Sequence, residues 1–514
     1  MICRRKGVPG MGAVSEMPDA DGAAERGPVR VEVENFGPIR QGAVTLKPLT
    51  VFIGPNNSGK SYMAMLVHAL HQAHAPLGGM GSGVLSSGPP PGGWRPEYRA
   101  MLESIAADLS ATDEAAIVTL PPALVAEAAH LLMLEVYGDG LDDALERDFA
   151  SEPEELISQL AESALIGLEV GGGCTQVNLA RAGNGQLEVV ELPALSLGDA
   201  KIDRHVPTGR WQVVIGAAGS TIGSAGRSEP TVERIELALR AAVRRAIDEG
   251  PWERFSEPCH YIPATRSGMM QVHRTLAAGI IEQATTFGNG ASARGVLTGA
   301  TADLISTMLR LEPSHSGAFS AVMGEFERTI TGGEVVAETL AEFAYPTISY
   351  RLNGMSIPLH RASSAVSELA PIILMLKHTI EQGDVAIIEE PEAHLHPANQ
   401  AKLAHLLVRL VRRGLRLIIT THSDYLLEQL GNFVMLSGVT AESRRERHGY
   451  QEDDYLEPDD VGVYLFKPDE EAGGHVIEPV TVDQEDGIYL DEFLQVNEVL
   501  YDETVRIHRE LFDQ

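Results

Sequence analysis

Hydrophobic and polar positions alternate in VRVEVENFGPI (Val29–Ile39), the period-two pattern of a strand with one buried face. The next segment, GAVTLKPLTVFIG, carries a second strand and then a third that is apolar throughout. A helical pattern begins near Gly59 and runs to about His74. Pro76–Ala100 is rich in Gly, Ser and Pro and is expected to be a mobile loop. Helical spacing returns in MLESIAADLSA and PALVAEAAHLLMLEVYG, and β-like patches follow at LIGLEVGGG, TQVNLAR, QLEVVEL and WQVVIGA. No heptad series is sustained, so no extended coiled-coil arm is expected.

ERIELALRAAVRRAIDE reads as a helix and CHYIPATRSG as a strand, with helices expected over about Val272–Thr285 and Thr301–Thr331. TISYRLNGMSIPLHRASS contains a hairpin that turns at Asn353-Gly354. A helix, the buried strand DVAIIEE, a helix, the buried strand RLIITTH and another helix come next, then late strands at GVYLFK and GHVIEPV. The polar stretch Ala441–Asp460 is expected to be mobile and solvated, and Asp486–Phe512 to be a terminal amphipathic helix.

Short buried strands alternating with helices predict an α/β fold with a mostly parallel sheet covered on both faces. Two separated segments supply that core, 29–75 and 341–440. Between them lie an inserted region of mixed helix and strand over 76–255, expected to stand apart from the core, and a helical region over 256–340. Residues 1–28 are expected to form a disordered tail, and 441–514 to hold the polar loop, late strands and last helix.

The 514 residues are two to four domains' worth, and 44% hydrophobic content with only 5% aromatic predicts a large, mainly aliphatic core. The densest apolar run, Leu369–Leu376, is far short of the roughly 18 residues of a membrane span. With no apolar signal core in the first 28 residues, no membrane association and a cytoplasmic location are expected. Cys3, Cys174 and Cys259 have no metal-like spacing and read as reduced, structural thiols. A net charge of −32 repels bulk nucleic acid and anionic membrane. Basic clusters at Arg240–Arg245, Arg409–Arg416 and Arg444–Arg447 leave DNA contact by an assembly open, although the first two read as solvated helix faces.

The chemistry concentrates where a strand turns into a helix. Gly54-Pro55-Asn56-Asn57-Ser58-Gly59-Lys60-Ser61 fits G-x-x-x-x-G-K-[ST]. Glycine lets backbone N–H groups converge on a phosphate, and the helix that follows aims its positive end at the same anion. Lys60 is placed for the β- and γ-phosphates of ATP and Ser61 for Mg²⁺, while Asn57 suits a left-handed position. The strand of Asp384–Pro397 ends in Glu389-Glu390, at the sheet edge where ligands bind in such folds. Glu389 is the candidate for holding Mg²⁺, directly or through water. Glu390 is the candidate for orienting the attacking water and taking its proton. The bland alternative is an acidic pair capping the next helix. LIITTHSD brings His422 to the same edge, within reach of a γ-phosphate or its attacking water.

With ENFGPI, GPNNSGKS, IEEPEAHLHPANQ and IITTHSDYLLEQL in place, the chain resembles the ABC/SMC-type ATPase heads. Within these it is similar to P-loop ATPases related to the OLD family and to RecF/SMC-like repair ATPases. YIPATRSGMM also looks like a segment recurrent in them, and the resemblance covers about half the chain. It implies ATP and Mg²⁺ as cofactors, Lys60 and Ser61 as the Walker A pair, and Glu389 in place of the usual aspartate. Glu390 then matches the catalytic glutamate and His422 the switch histidine. ASSAVSELAP lies at the signature position; Ser363 matches its serine, while Ser364 and Ala365 replace the expected glycines. The alternative there is a capped, buried helix.

The resemblance further implies a head-to-tail homodimer or higher oligomer closed by ATP, acting in DNA repair or in defence against foreign DNA. Arg266 and Gln271 enter only through it. His394, His396 and Glu392 invite a metal reading, but the resemblance favours supporting or dimer-contact roles. The metal-dependent nuclease domain of OLD-type proteins has no evident counterpart, since Gln451–Asp460 has the charges but reads as a solvated loop. A rival reading is a nucleotide-gated interaction protein that restrains a partner effector with slow hydrolysis.

Overall fold

The computed structural model describes residues 28–508, apart from 75–93, 112–115, 171–172, 181–186, 194, 196, 198, 206–209, 216–219, 225–229, 249–251, 271–296, 340–345, 470–472 and 490–502. Three strands open the chain, β1 (Val29–Phe36), β2 (Ile39–Leu46) and β3 (Leu49–Ile53), and helix α1 (Lys60–His74) follows. The middle supplies α2 (Pro96–Ala111), β4 (Ala116–Thr119), α3 (Pro122–Glu135), α4 (Leu141–Phe149), β5 (Ser163–Val170), β6 (Gly173–Ala180) and β7 (Glu188–Glu191). Then come β8 (Ala200–His205), β9 (Arg210–Ile215), β10 (Ser220–Ser224), α5 (Val232–Asp248), α6 (Glu253–Ser256) and β11 (Cys259–Ile262). Next are α7 (Gly299–Arg310), α8 (Ser320–Ile330), β12 (Glu334–Glu338), β13 (Thr347–Leu352) and β14 (Met355–Pro358). The last third holds α9 (Ser364–His378), β15 (Val385–Glu389), α10 (Pro397–Arg412), β16 (Arg416–Thr420), α11 (Asp424–Met435), α12 (Ala441–His448), β17 (Val461–Pro468) and β18 (His475–Val480).

Eleven strands share one sheet in the order β11-β15-β16-β3-β17-β18-β2-β1-β5-β6-β7. From β11 to β17 every pairing is parallel. Beyond β17 the pairings are antiparallel except for β18 with β2. The fold is therefore α/β with a parallel sheet at its centre and an antiparallel wing. Alternation along the parallel strands divides their side chains between two cores. Phe52, Val385, Ile387 and Ile418 pack with α1, whereas Val51, Ile53, Ala386, Ile388, Leu417 and Ile419 pack with α9, α10 and α11. This burial on both faces explains why these strands read as continuous apolar runs.

Strand register fixes the site. Ile262 pairs with Ile388, Glu389 with Thr420, and Thr420 with Phe52. The C-terminal ends of β11, β15, β16 and β3 therefore meet at one edge, where Pro263, Glu390, Thr421 and Gly54 leave the sheet.

The hairpin is present, with Asn353 at φ 50° and Gly354 at φ 81°, the left-handed pair that a two-residue turn between β13 and β14 requires. Three expectations change. Strands β5, β6 and β7 of the region expected to stand apart continue the core sheet from β1, because Val31 and Val33 face the core while β1 keeps an open edge for β5. A second sheet, β10-β9-β8-β4, is formed within that region alone. The helix expected over Thr301–Thr331 is two helices, α7 and α8, parted by a segment that contains Pro313.

The stretch expected to be mobile and solvated from Ala441 starts as helix α12. Thr440 caps it by accepting from the Ser443 N–H, and Gly449 ends it at φ 73°. Arg444 turns inward and donates to the carbonyls of Leu436 and Val439. Asp454 is buried against His405 at 2.7 Å. Tyr455 lies under both Arg412 and Arg444, with each guanidinium 4.3 Å from its ring centre. The helix expected over Val272–Thr285, with Gln271, lies outside the described residues, as do the tail and most of the 76–100 loop. Of the expected terminal helix, residues 503–508 are helical, while Gly487–Ile488 is a short strand.

Candidate functional site

The turn between β3 and α1 has the backbone its residues predict. Gly54 (φ 135°), Asn57 (φ 61°) and Gly59 (φ 101°) all lie in the left-handed half of φ. A Cβ on Gly54 would sit 2.2 Å from the Phe466 carbonyl oxygen, and one on Gly59 2.5 Å from the Ile39 side chain, so neither position admits another residue without displacement. Lys60 is buried, and its ammonium donates to the carbonyls of Gly54 at 2.9 Å and Pro55 at 2.7 Å. Burial lowers its pKa from 10.5 to about 8, against the pull of the Glu390 and Glu389 carboxylates.

This turn forms one wall of an open cavity of about 850 Å³, within the size range of sites for nucleotide-sized ligands. Asn56, Asn57, Ser58, Gly59, Lys60 and Ser61 line it, and Glu390, Thr420 and His422 face them from β15 and β16. Gly54 and Pro55 form the base of the turn and reach the cavity only through Lys60. Glu389 is buried at the end of β15, where its Oε2 accepts from the Ala264 N–H at 3.0 Å, and it does not line the cavity. It does lie near enough for its charge to act on Lys60. Ser363 is not brought to this cavity. It caps α9, accepting from the Val366 N–H at 3.4 Å, and is exposed.

Glu390 sits at φ 41°, rare for a residue with a long side chain, and its N–H donates to the Thr420 carbonyl at 2.9 Å. Its carboxylate is 3.7 Å from His422 Nε2, beyond direct hydrogen-bond length. Burial and the Lys60 charge hold the His422 imidazole below its ordinary pKa, which favours the neutral ring. A neutral imidazole beside a carboxylate, facing an ammonium, is an arrangement able to accept protons and to hold an anionic group.

Two side chains that frame this pair carried little signal of their own. Glu392, nearly fully buried, accepts from the Thr421 hydroxyl at 2.5 Å and from the His422 N–H at 3.1 Å, and so fixes the end of β16. Arg266, fully buried, donates to the carbonyls of Glu389 at 2.7 Å, Glu390 at 2.9 Å and Glu368 of α9 at 2.9 Å. PATRSG pointed to Arg266 only through resemblance. Its burial depends on carbonyls from two distant segments, and no local pattern encodes them. The segment Glu155–Leu160 also borders the cavity, and nothing in its sequence indicates that. His394, His396 and Glu392 point to different partners: His394 lies near Glu368, His396 caps α10, and Glu392 holds β16. Among the described residues no group of three or more His, Cys, Asp or Glu side chains could hold a metal ion. Nor is any described helix long and apolar enough to cross a membrane.

Residues 315–427, which include α9, β15 and β16, match the family described as AAA ATPase domain. No curated protein matches the chain. Among solved structures, the SMC head domain from Thermotoga maritima is similar at 12% identity and TM-score 0.33, over 88% of this chain and 99% of that one. An SMC head bound to the C-terminal winged-helix domain of ScpA has 11% identity and TM-score 0.34, over 88% and 98%. An SMC head with an extended coiled coil, bound to the C-terminal domain of ScpA derived from Pyrococcus furiosus, has 10% identity and TM-score 0.34, over 92% and 98%. Superpositions this loose carry no argument about function. The glycine turn and the acidic strand end face each other across one cavity, and over residues 315–427 the chain is similar to an AAA ATPase domain.

Proposed function

We propose that the chain binds MgATP in the cavity between Asn56–Ser61 and Glu390 and hydrolyses it. The observation that carries this reading is the single cavity that joins Lys60, Glu390 and His422, drawn from segments more than 300 residues apart in sequence. Convergent N–H groups of the turn and the N-terminus of α1 would bind the phosphates. Lys60 would exchange its two carbonyl partners for phosphate oxygens. Ser61, at the cavity wall, would offer Mg²⁺ a hard oxygen ligand, and Glu389, buried behind the cavity, would hold the ion through water, so that charge on the phosphates would be neutralised. Glu390 would align a water and accept its proton, with the neutral His422 ring hydrogen-bonding at the γ-phosphate.

Phosphate release under MgATP tests the reading. Glu390→Gln is expected to lower kcat by about a hundredfold or more while leaving ATP binding intact. Equal turnover in wild type and Glu390→Gln would remove Glu390 from the mechanism.

The exposed start of α9, with Ser363 at its cap, supports a head-to-tail dimer in which one chain's α9 completes the other's site. The resemblance extends this to an ATP-gated clamp acting in DNA repair or in defence against foreign DNA. Ser364 and Ala365, in place of glycines, favour a second reading, in which ATP gates a dimer that restrains a partner effector and hydrolysis is slow. An unchanged biological output in Glu390→Gln would select the second.

A further inference from the structure

Arg266 follows β11, is fully buried, and does not itself line the cavity it stands behind. Its guanidinium spends its donors on backbone rather than on ligand. Nη1 reaches the Glu389 carbonyl, with a longer bond of 3.4 Å to Pro263, Nη2 reaches the Glu390 carbonyl, and Nε reaches the Glu368 carbonyl on α9. Its charge is balanced by the Glu368 carboxylate, 3.5 Å from Nε and itself buried. Ser267 donates to that same carboxylate, and His394 lies 3.8 Å from it.

The peptide so held is the one that needs holding. A left-handed glutamate persists only where its surroundings over-determine it. At Glu390 the N–H is fixed by the Thr420 carbonyl and the carbonyl by Arg266, which holds the backbone from which the side chain lines the cavity. The third anchor, on α9, belongs to the helix that Ser363 caps. Planar, forked donors suit this task better than an ammonium, whose donors all radiate from one nitrogen whereas those of the guanidinium are spread over three.

We propose that Arg266 is a positioning residue: it locks Glu390 in its left-handed turn and ties that turn to α9, so that a shift of α9 moves the carboxylate relative to the phosphates. The inference rests on Glu390 being the hydrolytic carboxylate. It adds a route by which a helix exposed only at its start governs a site it does not line.

The test uses the full chain and two variants, Arg266→Lys and the charge-free double variant Arg266→Met/Glu368→Leu, each checked for folding by thermal melting. Fluorescent ATP analogue binding and steady-state phosphate release are measured in parallel. The expected result is a Kd within about threefold of wild type and a kcat lower by on the order of ten- to a hundredfold, since small misplacement of a reacting group costs that much. The double variant, which leaves no buried unpaired charge, should keep the kcat defect. A folded variant of either kind with wild-type kcat would overturn the proposal, as would a raised KM with kcat unchanged. Failure of both variants to fold would also overturn it, by assigning Arg266 to stability alone. Absence of binding and turnover in the wild-type chain is a separate outcome, which would overturn the ATPase reading itself and this inference with it.

Discussion

Lys60 gives the site a pH dependence. Its folded-state pKa is lowered from 10.5 to about 8, so in the free protein the ammonium is charged below pH 8 and is lost above it. Nucleotide binding that requires the charge should be at full strength below pH 8 and weaken about tenfold per unit above it. Calorimetric Kd values for MgATP from pH 6.5 to 9.5 should show that slope, and Lys60→Met should abolish it. The same substitution should weaken binding by roughly 1.5–3 kcal/mol, the usual loss for a charge-assisted hydrogen bond, which is on the order of ten- to a hundredfold in Kd. His422 lies below its ordinary pKa because of burial and the Lys60 charge. The acid limb of the turnover profile should therefore fall below the usual histidine range, and a limb at or above pH 7 would count against a neutral His422.

Elements differ in how much of them the sequence discloses, and the reason is whether the stabilising partners are local. β3, β15 and β16 were legible because a strand buried on both faces is apolar at nearly every inner position, and each shows five consecutive residues with little or no exposure beyond the first. The glycine turn was legible because its glycines are required by backbone φ and by contacts as close as 2.2 Å. Helix α12 was not, since its eight residues are almost all charged or polar and its anchor, Arg444, pairs with carbonyls of the preceding turn. Thr440 and Gly449 did mark its ends, as cap and stop. Thr440→Ala should cost about 1 kcal/mol in denaturant unfolding. Arg266 and Glu392 were nearly silent in sequence, because a positioning residue is defined by carbonyls and amides that arrive only with the fold. In α9, Leu374 is fully buried, and Leu374→Ala should destabilise by about 2–5 kcal/mol, a loss that hydrogen exchange would register throughout the α9–α11 face.

At the scale of the whole molecule, the sheet joins parts that are remote in sequence. The N-terminal strands, the middle region and the C-terminal third share eleven strands in one sheet. The middle region does not stand apart because β5 seals the edge that β1 leaves open, and hydrophobic alternation alone does not say which edge a strand will join. The exposed start of α9 supports association between copies. With ATP, Glu390→Gln is expected to run as a dimer in light scattering while the nucleotide-free chain runs as a monomer, and an ATP-independent mass would contradict gating by nucleotide. All of this depends on a triphosphate being held between the turn at Gly54–Ser61 and the carboxylate of Glu390. Titration of MgATP into the full chain in a calorimeter tests that most directly. The account predicts saturable heat with one site per chain in the wild type, and a Kd weaker by on the order of ten- to a hundredfold in Lys60→Met. A flat isotherm for the wild type, or an unaltered one for the variant, would contradict it.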